Sequence, residues 1–102
     1  MVMPAAIAKQ RDIEKKIQLL AKRLRPDVVS IKFTIKPDWS DDWGIFFQVM
    51  ISDEAGEKRL REVTRTVERQ LSEKFDFPAL GVFAYHEYRS PSEQAKLKES
   101  WV

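Results

Sequence analysis

Residues 29–51 read VSIKFTIKPDWSDDWGIFFQVMI, and this stretch decides the fold. Apolar and polar side chains alternate through 29–36, and Ile45, Phe47, Val49 and Ile51 alternate with Phe46, Gln48, Met50 and Ser52 on the other side of a turn rich in Asp and Trp. Alternation with a period of two is typical of a strand that buries one face. We therefore predict an antiparallel hairpin whose odd-numbered side chains are buried.

Amphipathic helices are predicted on both sides of the hairpin. Residues 5–25 repeat apolar side chains at intervals of four, three and four until Pro26, and residues 53–75 repeat them at three, four and four. Ser52 or Asp53 can cap the second helix. The repeating residues are Ile13, Ile17, Leu20 and Leu24, with Ala21 beside them, and then Leu60, Val63, Val67 and Leu71. Each helix is expected to lay one apolar face on the sheet.

A third strand and a final helix complete the chain. Residues 80–88 are rich in aromatic and β-branched residues, which favours a strand. Ser90, Pro91 and Glu93 are typical of a capping box that begins a short helix. The order α-β-β-α-β-α predicts an α+β fold: a three-stranded, mainly antiparallel sheet with the helices on one face. The pattern leaves open which hairpin strand the third strand joins and which of its faces is buried.

Size and composition indicate one domain over residues 1–102. The chain has 43% hydrophobic and 33% charged residues, which is typical of a globular protein. No apolar run approaches the roughly 20 residues that a membrane span needs. The short apolar start has no basic residues before it, so we expect a cytoplasmic protein. Because the chain has no cysteine, disulfides and thiolate chemistry are excluded.

Positive charge is concentrated in the first predicted helix. Residues 1–25 hold seven Lys or Arg against two acidic residues, a net charge of +5, whereas the remainder carries −3. Such a helix can contact phosphate or an acidic partner. An ordinary solvent-facing helix surface explains the same charges, and the sequence leaves both readings open.

The usual parts of an enzyme active site are missing. The single histidine, His86, lies within the third predicted strand, where its immediate neighbours point to the opposite face. Ser90 has no nearby base in the sequence and is already assigned to a helix cap. We therefore predict that the chain is not an enzyme.

The hairpin turn carries three carboxylates and two tryptophans. Asp38, Asp41 and Asp42 offer oxygen ligands for Mg²⁺ or Ca²⁺, but their spacing matches no calcium loop. Aspartates also hydrogen-bond their own backbone in turns, so a structural role explains them without a metal. Trp39 and Trp43 either fold back on the domain or anchor a partner. We predict no metal and no cofactor.

The outward face of the hairpin is unusually apolar. Phe46 and Met50 are expected to lie there, beside Lys32, Thr34 and Lys36. A protein partner, a second copy of the chain, or a final helix that carries Leu97 and Trp101 could cover such a face. The candidate binding residues are therefore Trp39, Trp43, Phe46, Met50, Lys32 and Lys36.

The third strand decides whether this face is also a platform for RNA. If Phe83 and Tyr85 point the same way as Phe46, they complete a surface of aromatic rings and lysines. Surfaces of that kind stack bases and neutralise phosphates. If Val82 and Ala84 point outward instead, the two rings belong to the core.

Short stretches within residues 31–93, about three fifths of the chain, follow a recognisable pattern: PDWS at 37–40, IFFQV at 45–49, LREV at 60–63 and RSPSE at 89–93. They resemble small bacterial proteins of unassigned function that share a D-W-[ST]-x-D hairpin loop. That pattern would have glycine where this chain has Asp41. The resemblance implies no particular activity.

The order helix, two strands, helix, strand is similar to the K-homology-type architecture of ribosome-binding factor A. This chain has neither a Gly-x-x-Gly loop nor a glycine kink in its second predicted helix. We therefore expect a non-catalytic accessory module that binds another protein or itself through the outward face and the tryptophan turn. The alternative is an RNA-binding domain that uses Lys32, Lys36, Phe46 and the basic first helix.

Overall fold

The computed structural model describes residues 3–100, with side chains described for residues 3–97. Its elements follow the predicted order, and the α+β class is confirmed. The two long predicted helices are each divided. The elements are α1 (Ala5–Ala8), α2 (Gln10–Arg23), β1 (Val28–Pro37), β2 (Trp43–Ile51), α3 (Asp53–Lys58), α4 (Leu60–Lys74), α5 (Phe77–Leu80), β3 (Phe83–Arg89) and α6 (Pro91–Ser100).

The sheet has the strand order β1-β2-β3, so β2 is central. β1 and β2 form the predicted antiparallel hairpin. β3 runs parallel to β2, because the segment from α3 to α5 returns the chain to the end of the sheet at which β2 begins. The sheet is therefore mixed, and β3 joins β2 rather than β1.

The long helices α2 and α4 cover one face of the sheet, as predicted, and the core lies between the two layers. α2 and α4 turn their apolar stripes inward, while odd-numbered side chains of the hairpin point toward them. The buried residues include Ile13, Ile17 and Leu20 from α2, Val63, Val67 and Leu71 from α4, and Ile31, Ile45, Phe47 and Val49 from the hairpin. No helix in residues 3–100 combines the length and the apolar character that crossing a membrane requires. The opposite face of the sheet is hereafter called the outer face.

A bulge at the start of β1 overturns one detail of the predicted alternation. Val28 pairs with Ile51 and Ser30 with Met50, so Val29 is an extra residue. An extra residue shifts the pleat by one position. Val28 is consequently buried and Val29 is exposed, whereas the alternation predicted a buried Val29.

Interruptions in the helices and a later start of β3 account for the other differences. The backbone leaves helical geometry at Lys9 and at Arg59, and the second break leaves Leu60 exposed rather than buried. Asp76 caps the short helix α5, which ends at Gly81 in a left-handed conformation with φ of 73°. Leu80, predicted as the first residue of the third strand, therefore lies in a helix.

Candidate interaction surface

The outer face is built from side chains that the strand register places in four rows across the sheet. Tyr85 stands beside Phe46, and Phe83 stands beside Gly44, so the two rings of β3 share a face with Phe46. Ala84 and Tyr88 pack against the core instead. From the turn downward the rows are Lys36-Gly44-Phe83, Thr34-Phe46-Tyr85, Lys32-Gln48-Glu87 and Ser30-Met50-Arg89. The outer face thus has an aromatic half near the turn and a polar half away from it.

The aromatic half contains an aromatic cluster, which we define as Trp39, Phe46, Phe83 and Tyr85. The Phe46 ring stacks on Tyr85 with centroids 4.8 Å apart, and Trp39 meets the Tyr85 ring at 5.2 Å. The Lys36 ammonium lies 4.7 Å from the centroid of the Phe46 ring. Trp39 is nevertheless 81% exposed and Phe83 is 58% exposed. Ring contacts join Trp39, Phe46 and Tyr85, while the strand register places Phe83 on the same face beside Gly44.

Asp38 joins the hairpin turn to this cluster. Its carboxylate accepts hydrogen bonds from the backbone N–H groups of Ser40 and Asp42, at 2.8 and 3.1 Å, and from the Tyr85 hydroxyl at 2.7 Å. The Tyr85 hydrogen bond is the main reason that the pKa of Asp38 is lowered. The same hydrogen bond raises the pKa of Tyr85. Asp38 therefore fixes the turn and orients the ring on which Trp39 and Phe46 pack.

Asp38→Asn should lower the pKa of Tyr85 toward the ordinary tyrosine value of about 10, because the phenol loses its charged acceptor. Ultraviolet absorbance titration measures this change directly. Tyr88 titrates at higher pH because burial raises its pKa strongly, and Tyr85→Phe identifies the lower transition. Asp53→Asn is the matched control, since Asp53 contacts Ser92 instead. An unchanged Tyr85 transition in Asp38→Asn would contradict the geometry.

The other two acidic residues of the turn are Asp41 and Asp42. Asp41 adopts a left-handed backbone conformation with φ of 63°, which aspartate tolerates better than most residues and glycine adopts freely. Asp41 and Asp42 are exposed. Within the described residues, no group of three or more histidines and carboxylates is arranged to hold a metal ion.

Gly44 allows the rings of the cluster to approach the sheet. A Cβ atom at this position would lie 2.9 Å from Cε2 of Phe46 and 3.0 Å from Cε2 of Tyr85. Contacts this short do not persist, so any larger residue must move one of the rings. The space above Gly44 is therefore filled by the stacked pair.

Gly44→Ala should lower the free energy of unfolding by about 1–3 kcal/mol, the usual cost of overpacking. Gly56→Ala is an informative control. Gly56 lies within α3, and a Cβ atom there would meet its nearest neighbour, Cδ1 of Ile51, at an ordinary contact distance of 3.6 Å. That change should stabilise the protein by about 0.5–1 kcal/mol, since glycine is a poor helix former. Urea denaturation of both variants tests the difference in sign. A Gly44→Ala protein as stable as the wild type would show that the rings are not packed in this way.

The polar half of the outer face is an open depression of about 410 Å³. Arg89 spans one side of it, pairing with Glu87 at 2.5 Å and hydrogen-bonding Gln94 of α6 at 3.3 Å. Met50 is half-buried at its base. α6 contributes Gln94 to the rim, while Leu97 is exposed. The expectation for Trp101 lies outside the described residues.

The structure divides the six predicted binding residues. Trp39, Phe46 and Lys36 come together in the aromatic half, and Lys32 and Met50 lie in the polar half. Trp43 is not on the outer face: it is half-buried and packs against the core, with its indole N–H buried and lacking a partner among the described residues. Trp43 is the first residue of β2 and has the same inward parity as Ile45 and Phe47, whereas Trp39 lies in the turn, where no alternation applies. The sequence also gave no local sign of the contact between Asp38 and Tyr85.

His86 lies on the inner face, where its ring stacks on Phe47 with centroids 5.5 Å apart. Burial lowers its pKa, although Glu68 stands 3.7 Å from Nδ1 and opposes the shift. Ser90 is buried and caps α6 by accepting the Glu93 N–H at 3.3 Å. Both residues thus have structural surroundings, and the prediction that the chain is not an enzyme stays a prediction.

Comparisons with known protein families, with curated proteins and with solved structures found no match. Functional inference therefore rests on the geometry and chemistry of the outer face. Its most informative features are the exposed rings of the aromatic cluster and the distribution of charge around them.

Proposed function

We propose that this chain is a non-catalytic protein-interaction module that binds a partner protein through its outer face. The exposure of Trp39 and Phe83, at 81% and 58%, is the observation that carries the proposal. Large exposed apolar patches on soluble domains mark interaction sites, and tryptophan is enriched among the residues that dominate binding energy. Asp38 and Tyr85 support the patch from below, so it needs little ordering when a partner binds.

The internal packing of the rings favours a protein over RNA. Phe46 and Tyr85 stack on each other at an interplanar angle of 18°, so a base could not insert between them without separating the pair. The charges also favour a protein partner over RNA. Arg89 is already paired with Glu87, and the exposed carboxylates of Asp41 and Asp42 lie beside the cluster. Binding to phosphates needs an excess of unpaired cations.

RNA binding is the second candidate, favoured by two lysines next to aromatic rings and by the K-homology-like order of elements. Lys32 and Lys36 are both exposed on the outer face. The basic helix α2 packs on the inner face of the sheet, however. A short RNA strand on the outer face could not contact α2 at the same time, so the basic helix adds little to this candidate.

Photo-cross-linking in cells that naturally produce the protein tests the proposal. The photoreactive residue p-benzoylphenylalanine would replace Phe83 in one variant and Leu19 in another. Leu19 is the matched control, because it is 62% exposed but lies on α2 in the opposite layer. We expect protein adducts at position 83 that are reduced by Trp39→Ser, and few adducts at position 19. Equal labelling at both positions would refute a docking surface on the outer face.

Salt separates the two candidates when the cross-linking is repeated in an extract of the same cells at controlled ionic strength. RNA binding through several phosphate contacts should weaken by orders of magnitude between roughly 50 and 200 mM salt. Docking through apolar rings should change little over that range. Adducts that contain RNA and disappear with salt would replace the first candidate with the second.

A further inference from the structure

The sheet has two edge strands, β1 and β3, because β2 is central. Every second residue of an edge strand directs its backbone N–H and C=O groups away from the sheet. Among the described residues, none of the backbone hydrogen bonds made outside the sheet and the helices involves residues 83–89. β3 therefore presents a row of backbone donors and acceptors along its free edge.

β1 carries three features that discourage pairing along its own free edge. Val29 forms a bulge, Lys32 and Lys36 are exposed, and the strand ends at Pro37, which has no backbone N–H. Bulges, lysines and prolines are the features by which natural sheets protect their edges from other strands. β1 is therefore a protected edge.

β3 has none of these features. Its register with β2 is continuous from Phe83 to Arg89, and its sequence, FAYHEYR, contains neither lysine nor proline. Its two charged residues, Glu87 and Arg89, pair with each other at 2.5 Å, so the half of the strand that begins at Phe83 is uncharged. Aromatic side chains favour the extended conformation. The contrast with β1 marks β3 as the edge that is open to another strand.

We propose that β3 binds an extended segment of the partner protein, which joins the sheet as a fourth strand. This inference deepens the proposed function and rests on it, because it states how the partner is held beside the outer face. Strand addition is a recurring mode of peptide recognition. Main-chain hydrogen bonds supply affinity, and pockets for alternate side chains supply specificity.

The rows of the outer face define the side chains that suit this segment. A fourth strand extends the two aromatic rows, which end at Phe83 and Tyr85, so every second side chain of the segment lies beside these rings. Phe83 is 58% exposed and would gain a neighbour on its open side. Aromatic rings pair well with aromatic and β-branched residues on the adjacent strand. The partner segment is therefore expected to carry such residues at alternate positions.

A short peptide of alternating threonine and valine, with a lysine at each end for solubility, tests strand addition. Two N-methyl groups on alternate residues leave one edge of this peptide able to pair. The same two groups on adjacent residues block both edges, which gives a control with equal methylation. In fluorescence anisotropy, the first methylated peptide should bind as well as the unmodified one, and the second should bind at least about tenfold more weakly.

Amide hydrogen exchange followed by NMR locates the bound peptide. Binding should slow the exchange of alternate amides within residues 83–89, because these amides gain hydrogen-bond acceptors. The amides of residues 30–36 should be unaffected, so β1 is the control within the same molecule.

Three results would overturn the inference: no binding of the unmodified peptide at about 1 mM, equal binding of the two methylated peptides, or protection of β1 instead of β3. Protection of β3 that rises with protein concentration in the absence of peptide would also overturn it, because the edge would then pair with a second copy. Cross-linking at position 83 decides the proposed function separately. Protein adducts without strand addition would leave a partner that binds through side chains alone, whereas the absence of adducts would remove both proposals.

Discussion

Phe47→Ala is expected to lower the free energy of unfolding by about 3–5 kcal/mol, the usual cost of deleting a buried aromatic ring. Phe47 lies at the centre of the inner face, where it is 1% exposed. Its ring contacts His86 and Phe77, at centroid distances of 5.5 and 5.9 Å. Removing it leaves a cavity bounded by both layers, which the surrounding side chains cannot fill. This is the largest single effect that we expect.

Phe83→Ala is the matched control, because it deletes the same ring from the opposite face. Phe83 is 58% exposed, so the change should alter stability by no more than about 0.5 kcal/mol. Urea denaturation followed by circular dichroism measures both variants under the same conditions. Similar losses for the two would mean that the sheet does not have one closed face and one open face. A stable Phe83→Ala protein would then be a folded variant with one ring missing from the outer face, suitable for comparison with the wild type in binding experiments.

Leu20→Ala should destabilise the protein by about 2–5 kcal/mol, the second-largest effect. Leu20 is 1% exposed at the centre of the apolar stripe of α2, between that helix and the sheet. Its neighbour Leu19 points about 100° away around the helix and is 62% exposed. Leu19→Ala should therefore be neutral within about 0.5 kcal/mol, since alanine is also a good helix former.

The difference in stability between Leu20→Ala and Leu19→Ala tests whether the apolar stripe of α2 packs against the inner face of the sheet. Thermal unfolding and urea denaturation of the two variants are sufficient. If Leu19→Ala were the more destabilising change, α2 would be rotated about its axis. The charged residues assigned to solvent would then face the sheet.

Alternation and helical periodicity made much of the fold predictable. Ile45, Phe47 and Val49 occupy every second position of β2 and continue the alternation of β1, so β2 and its buried face follow from the sequence. Ile13 and Ile17 are separated by one helical turn, which indicates the buried stripe of α2. These signals are local and repeat several times. Tertiary packing reinforces them rather than competing with them.

The parts that could not be predicted depend on contacts between distant residues. β3 carries aromatic rings on both faces, with Phe83 and Tyr85 outward and His86 and Tyr88 inward, so hydrophobicity does not indicate which face is buried. The adjacent Val28 and Val29 suit the core equally well by chemistry. Only pairing with β2 decides between them. The helix breaks at Lys9 and Arg59 occur without Gly or Pro and so leave no sign in the sequence.

The candidate surface was partly predictable for the same reasons. Phe46 and Lys36 follow from the alternation of the hairpin, and the structure brings them into contact. The role of Asp38 could not be predicted, because its partner Tyr85 is 47 positions away in the chain. The role of Gly44, which leaves space for the Phe46 and Tyr85 rings, can be recognised only when the positions of those rings are known. Side-chain packing over the sheet, rather than sequence pattern, assembles the aromatic cluster.

Thiol reactivity of two adjacent single-cysteine variants tests the central claim most directly. Gln48→Cys places the thiol on the outer face, and Val49→Cys places it on the inner face, where Val49 is 2% exposed. At protein concentrations low enough to prevent association, Gln48→Cys should react with a thiol reagent as rapidly as the unfolded chain does. Val49→Cys should react only after unfolding. Equal protection of both thiols in the monomer would contradict the account, because it would leave no open face for a partner.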